Sequence, residues 1–142
     1  MDKKKLLKWI ICLMFSIYVF NLIGQKFHWD YTTWWFDMIS HFSGGFWVSL
    51  FFIWFFSIKN LPFLKPTLDP NDPKLIHKAV CYILLIGLLW ELFEFYANNY
   101  IGIYPFDIVD TSSDLFLDLA GGFLGLWYFS KKIMVSKENT VQ

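Results

Sequence analysis

FDMISHFSGGFWVSLFFIWFFSI, residues 36–58, is a stretch in which most side chains after His41 are apolar. A helix needs about 20 mostly apolar residues to cross the hydrocarbon core of a bilayer, and this stretch is long enough. Its apolar residues cover all sides of a helix rather than a single stripe, which is typical of a helix without a water-facing side. The stretch therefore predicts a transmembrane helix.

Three further stretches approach the same length, over residues 6–24, 80–99 and 112–130. Of the 142 residues, 56% are hydrophobic and 23% are aromatic, which is too many for a water-facing shell around one small core. We therefore predict an all-α polytopic membrane protein. It is a single membrane domain, residues 1–142, built as a bundle of four transmembrane helices and surrounded by lipid.

The basic residues, all twelve of which are lysines, indicate how the spans are oriented. With the N-terminus inside the cell, the loop 59–79 and the C-terminal tail are also inside, and Lys26 alone is outside. Cytoplasmic segments of membrane proteins are enriched in Lys and Arg, so both termini are predicted to be cytoplasmic. The first span is predicted to be uncleaved, because no small-residue cleavage pattern follows it. The zero net charge and the lack of a basic patch argue against a nucleic-acid partner.

Ionisable side chains recur near the predicted outer ends of the second, third and fourth spans. Each lies within about 12 Å of the outer face, at 1.5 Å of rise per residue. Their spacing places them on helical faces that also carry glycines, which let helices approach closely, so we expect these faces to pack together. The ionisable residues and glycines on these faces are Asp37, His41 and Gly44 in the second span, Gly87, Glu91 and Glu94 in the third, and Asp114, Asp118, Gly121 and Gly125 in the fourth.

Some of these acids have a simpler explanation. Thr111 with Asp114 fits a capping box, and Asp37 is near a helix N-terminus, where the helix dipole favours negative charge. The two acids of the third span lie toward the C-terminal end of their helix, where the dipole disfavours them. Asp118 is already two turns into its helix. These last three acids need a partner.

No Lys or Arg lies at this depth within the spans, so His41 is the internal cation available to the acids. Buried carboxylates without a partner take up protons or bind a cation. A His beside several acids matches the ligand set of a divalent metal such as Zn, Mn or Fe, while protonated acids and a purely structural network remain alternatives. Asn21 and Gln25 of the first span lie at the same depth and could add hydrogen bonds. The candidate metal ligands are His41, Glu91, Glu94, Asp114 and Asp118.

Three short elements, FDMISHFSGG, WELFEF and DTSSDLFLDLAGGFLG, resemble those of the VanZ-like membrane proteins and the related YjdF-type inner-membrane family. Both families carry D-x-x-x-H-F, then E-x-x-E or E-x-x-Q, then D-x-x-x-D or a related element that leads to glycines. The resemblance covers roughly residues 36–126, and Asp118 stands where VanZ-like chains commonly have Asn. It implies a multi-pass protein of the bacterial plasma membrane that is linked with the cell envelope and antibiotic resistance. By position the elements match Asp37 and His41, then Glu91 and Glu94, then Asp110, Asp114, Gly121 and Gly125.

Three functions are compatible with these features. The first is a metal-dependent enzyme that acts on a lipid or lipid-linked cell-envelope precursor at the outer leaflet. Its candidate catalytic residues are Asp37, His41 and Glu91, with Asp37 orienting the imidazole or accepting a proton. The second is a cation or proton transporter, against which the inner halves of the spans lack acids. The third is a non-catalytic scaffold or envelope-resistance factor, in which the cluster only holds helices together.

Overall fold

In a computed structural model the chain is described over residues 3–56, 73–101 and 107–138, and these ranges are helical apart from short connections. The prediction of an all-helical protein is therefore confirmed for this part of the chain. Four long helices and one single-turn helix follow one another in the described ranges. They are α1 (Lys3–Phe27), α2 (Trp29–Thr32), α3 (Trp34–Phe56), α4 (Pro73–Ile101) and α5 (Ile108–Glu138).

Three of the helices are long and apolar enough to cross a membrane, over Lys4–Phe27, Trp34–Phe56 and Ile76–Ala97. They correspond to the first three predicted spans. Helix α5 includes the predicted fourth span, but Asp114 and Asp118 lie inside its apolar segment, and it is not among these three. Helix α4 begins at Pro73, within the predicted loop 59–79, and residues 57–72 of that region lie outside the described residues.

A tight reversal joins α1 to α3. His28 ends α1 with a left-handed backbone at φ 56°, and its carbonyl accepts a hydrogen bond from Thr32 N at 3.1 Å, which closes the single turn of α2. Thr33 is extended, and its carbonyl accepts a bond from Phe36 N at 2.9 Å where α3 begins. Because the chain turns back within a few residues, α1 and α3 pack as antiparallel neighbours.

Glycines allow α3 and α5 to pack in close contact. A Cβ on Gly45 would overlap the Asp118 backbone carbonyl, and a Cβ on Gly121 would overlap the Phe42 carbonyl. Farther along, Gly125 faces the Ser49 hydroxyl. His41 lies beside Asp114, and about two turns farther along α3 Ser49 lies beside Gly125, about three turns farther along α5, so α3 and α5 run parallel. The predicted close approach of the glycine-bearing faces is thus present between these two helices.

Helix α4 packs antiparallel to α5, since Gly87 faces Asp118 and the side chain of Ile83 lies against Gly122. Helix α1 packs antiparallel to α3, where the Trp47 indole donates a hydrogen bond to the Ile10 carbonyl at 2.9 Å. The four long helices therefore alternate in direction along the chain. The beginning of α1 and the end of α5 lie at the same end of the bundle.

The apolar core lies in the half of the bundle that contains the start of α1 and the end of α3. Phenylalanine rings fill much of it, as where Phe52 packs against Phe56 and Tyr82. The predicted polar cluster lies in the other half. The buried core residues are Leu6, Ile10, Leu50, Phe52, Ile53 and Ala79.

Candidate functional site

His41 is the centre of the polar half of the bundle. It lies two turns into α3, and only 5% of its surface is exposed, because α4 and α5 cover the ring. Carboxylates from three helices surround it. Nε2 is 3.6 Å from Asp37 Oδ1, 3.9 Å from Asp114 Oδ2 and 4.0 Å from Glu91 Oε1, and Nδ1 is 3.6 Å from Asp118 Oδ2. The convergence expected from the spacing of the acids is present around one imidazole.

The N-terminus of α5 is capped by Asp107, which precedes the residues suggested as a capping box, Thr111 and Asp114. Asp107 Oδ1 accepts a hydrogen bond from Val109 N at 2.8 Å, and the Asp107 carbonyl accepts one from Thr111 N at 3.1 Å. Asp107 is therefore the N-cap, and Thr111 is already inside the helix. The capping-box alternative for Thr111 and Asp114 is wrong. Asp114 lies nearly two turns into α5 and is 2% exposed, so helix capping does not account for its burial.

Helix α4 contributes two carboxylates that differ in their hydrogen bonding. Glu91 Oε1 is buried and has no hydrogen-bond partner among the described residues. Glu94 Oε1, in contrast, accepts a hydrogen bond from the Trp90 indole at 2.9 Å. Gly87 lies about one turn before Glu91 on α4 and leaves room for the Asp118 carboxylate. A Cβ at position 87 would lie 2.6 Å from Asp118 Oδ2. Oε1 of Glu91 is thus a buried carboxylate oxygen without a hydrogen bond in the described part of the chain.

Asp37 connects the buried cluster to the outside of the bundle. It lies in the first turn of α3, where the helix dipole favours a carboxylate, and 44% of its side chain is exposed. One of its oxygens nevertheless faces the buried His41 ring. The helix dipole accounts for a carboxylate at this position, but it does not account for the contact between Asp37 and His41.

Two groups of side chains could hold a metal ion, since their potential ligand atoms lie within 4.8 Å of one another. One group is Asp37, His41 and Asp114, and the other is His41, Glu91 and Glu94. Two ligands of one tetrahedral zinc are roughly 3.4 Å apart, given bond lengths of about 2.1 Å. The measured distances from His41 Nε2 approach this value to within about half an ångström. The nitrogen and carboxylate donors, together with the unpartnered Glu91 oxygen, fit a divalent ion.

Asp118 lies on the opposite side of the imidazole from both groups. Its carboxylate faces Nδ1, while the three other acids paired with His41 face Nε2. A metal-bound His commonly directs its second ring nitrogen toward a carboxylate, which fixes the orientation of the ring. The position of Asp118 is that of such an orienting residue, whereas Asp37 lies on the side of the potential ligands.

A cavity of about 410 Å³ opens beside the cluster and reaches α1. On its α1 side, the Ser40 hydroxyl donates a hydrogen bond to Asn21 Oδ1 at 3.1 Å, and Asn21 Nδ2 donates to the Ile17 carbonyl at 3.0 Å. Gln25 also lines the cavity. The two amides of the first span therefore lie on the far wall of this cavity and not among the groups that contact His41.

Several residues near the site were not predicted from the sequence. Trp90 was not expected to bind Glu94, although their spacing of four residues places both on one helical face. Ser40 also has this spacing from Phe36, whose carbonyl accepts its hydrogen bond at 3.1 Å. The capping role of Asp107 could have been found from the Asp that directly precedes a helix-forming stretch.

A family model described as "Predicted membrane protein (DUF2238)" matches residues 2–133, which includes all four long helices except the last residues of α5. The chain matches no curated protein and no solved structure.

Proposed function

Because the chain belongs to this family of predicted membrane proteins, we propose that it is a membrane-embedded, metal-dependent enzyme of the bacterial plasma membrane. Its substrate is a lipid or a lipid-linked component of the cell envelope, and its reaction occurs at the outer leaflet. The site residues lie in the same order as the elements shared with VanZ-like and YjdF-type proteins, which supports a relationship with them. In this proposal α5 is the fourth span.

The lysines support cytoplasmic termini in this proposal. The polar cluster lies at the end of α1 that carries Lys26. The start of α1, the end of α3, the start of α4 and the end of α5 lie at the opposite end of the bundle. The sequence of these helix ends and of residues 57–72 carries the other eleven lysines, so this end is assigned to the cytoplasm.

The metal proposal rests mainly on the burial and hydrogen bonding of Glu91. Its Oε1 atom is buried without a hydrogen-bond partner among the described residues, and it lies 4.0 Å from His41 Nε2. Leaving a buried carboxylate oxygen unpaired is costly, and the cost is removed when a cation binds. Three further carboxylates, those of Asp37, Glu94 and Asp114, lie with the imidazole in the two groups that could hold an ion, so an ion placed there has both charge and ligands.

When bound, a divalent ion supplies Lewis-acid chemistry, which polarises a substrate oxygen or lowers the pKa of a water molecule. The chain's own residues have separable roles in this proposal. His41, Glu91, Glu94 and Asp114 hold the ion, and Asp118 positions the imidazole through Nδ1. Asp37 contacts both the cluster and the outside, so it is placed to pass a proton between them.

Transport has less support. Beyond the cluster, the remaining described parts of the spans of α3 and α4 and the described side chains of α5 contain no further acid, so no acidic path continues toward the opposite end of the bundle. Ser49, the buried polar residue in that half, donates its hydroxyl to the Phe46 carbonyl at 2.8 Å within its own helix.

The first test is the metal content of purified protein, measured by elemental mass spectrometry after incubation with Zn²⁺, Mn²⁺ or Fe²⁺ and removal of excess ion. We compare the wild type with Glu91→Gln and with Asp110→Asn, which removes an exposed acid of α5 at the same end of the bundle. We expect bound metal in the wild type and in Asp110→Asn, and its loss in Glu91→Gln. A wild type that remains free of all three metals, or a Glu91→Gln variant that retains metal, would overturn the metal site.

The enzyme proposal is tested separately by profiling the lipids of cells that produce each of these proteins. We expect the wild type and Asp110→Asn to give one profile, and Glu91→Gln to give the profile of cells without the protein. A scaffold predicts instead that Glu91→Gln, if present in the membrane at normal amounts, behaves as the wild type.

A further inference from the structure

The cavity beside His41 is bounded by helices that leave an opening between them. Its lining comes from α1, α3, α4 and one residue of α5. The backbones of α1 and α4, which both line the cavity, do not contact each other anywhere in their described lengths, so a gap separates these two helices. Both helices are candidate membrane spans, so in a bilayer this gap would face lipid. A volume of about 410 Å³ is within the range of small-ligand sites.

The lining of the cavity changes from polar to apolar along the helix axes. Near the outer end are Gln25, Asp37 and Glu94, beside His41. About two turns farther in, the walls are apolar and include Ile17 from α1, Val48 from α3, and Ile83 and Ile86 from α4. A ligand that matches this arrangement has a polar group at one end and a hydrocarbon chain at the other.

The charges around the cavity disfavour an anionic head group. Neither Lys nor Arg lines it, and the chain contains no Arg at all. The protein groups that bind phosphate are Arg, Lys and helix N-termini, and the N-termini of α3 and α5 at this end already carry Asp37, Asp107 and Asp110. A divalent ion also attracts phosphate, but the cluster holds five carboxyl groups, and with these ionised its formal charge stays negative when such an ion is bound.

We propose that this cavity binds one hydrocarbon chain of an uncharged amphiphile, an alcohol or an ester, that enters from the bilayer between α1 and α4. The uncharged head group lies against the His41 cluster, and the chain lies along the apolar walls. The inference rests on the proposed function, since it names the substrate class of the same site. It narrows that class from lipids in general to those without a phosphate at the reacting end.

The test uses a long-chain alcohol with a diazirine in its chain, which crosslinks on illumination, and full-length protein in detergent or nanodiscs. Crosslinked positions are identified by peptide mass spectrometry. The blocking variant is Ile86→Trp, which fills the cavity from α4. Its matched control is Leu85→Trp, the neighbouring position on the same helix, which is 53% exposed and does not line the cavity. Neither residue belongs to the groups that could hold a metal.

We expect crosslinks on peptides that contain Ile17, Val48 or Ile86, reduced at least tenfold in Ile86→Trp and unchanged in Leu85→Trp. A monoacylglycerol should compete with the probe, and an alkyl phosphate of equal chain length should compete at least tenfold less well. Crosslinking that is unaffected by Ile86→Trp, or equal competition by the alkyl phosphate, would overturn the inference. Metal content is measured on the same samples. Metal without specific crosslinking rejects the substrate class alone, and crosslinking without metal rejects the metal site alone.

Discussion

Helices α1 and α3 are adjacent and similar in length, but they differ in how much of each the bundle buries. In α3, 39% of the apolar segment is buried, against 11% in α1. Helix α3 contacts α1, α4 and α5, whereas α1 contacts only α3 and the short α2 within the described residues. This difference in burial indicates that α3 and α1 have different roles. The parallel pair of α3 and α5 holds the site residues in place, and α1 covers one side of the cavity.

The largest expected effect comes from disrupting that parallel pair. In Gly45→Ala the new methyl group overlaps the Asp118 backbone carbonyl, which cannot move without shifting α5. Overpacking of this kind costs about 1–3 kcal/mol, and the rigid backbone neighbour places this variant at the upper end, so we expect a clear loss of thermal stability in detergent. In the control, Gly44→Ala, the nearest atom is Asp118 Oδ1 at 3.9 Å, and stability should change little. Equal melting temperatures for the two variants would show that α3 and α5 are not in close contact.

The second largest effect is expected on metal binding at the site, with little change in the stability of the fold. Asp118→Asn keeps the shape of the side chain but removes the charge that faces His41 Nδ1. If Asp118 positions the ring, metal affinity should fall about 10- to 100-fold, with thermal stability of the metal-free protein near that of the wild type. Titration with Zn²⁺ in the presence of a competing chelator measures this. Complete loss of metal, as expected for Glu91→Gln, would instead make Asp118 a ligand.

The smallest effect is expected where α1 joins the bundle. Trp47→Phe removes the indole that donates a second hydrogen bond to the Ile10 carbonyl, which keeps its bond within α1, so the cost is about 1 kcal/mol. Trp54→Phe is the matched control, because both tryptophans pack against Phe51. We expect a small decrease in melting temperature for Trp47→Phe relative to Trp54→Phe. A decrease as large as that of Gly45→Ala would place α1 in the stabilising core.

Periodicity predicted which helical faces carry the site, because acids and glycines at spacings of three and four residues must share a face. It did not identify which glycine makes the closest contact. Gly44 continues the stripe of Asp37 and His41, yet Gly45 is the residue whose Cβ would overlap α5. At 100° per residue Gly44 and Gly45 lie about 60° and 40° to either side of His41, and the side against which α5 packs distinguishes them.

The sequence also could not predict which side of the imidazole each acid occupies. Spacing places Asp114 and Asp118 on one face of α5, but it contains no information on how that helix is rotated against His41. The rotation depends on the close contact at Gly45 and on the space at Gly87. The cavity also was not predicted, since it depends on α1 and α4 remaining apart.

The partial exposure of Asp37 has a consequence for how the site is supplied. It is the most exposed of the four carboxylates paired with His41, and the path from it to the imidazole is short and lies at one end of the bundle. An ion that follows this path never has to cross the membrane. In the proposed orientation a metal ion bound at this site would therefore come from the extracytoplasmic side, and a membrane-impermeant chelator added to intact cells should remove it.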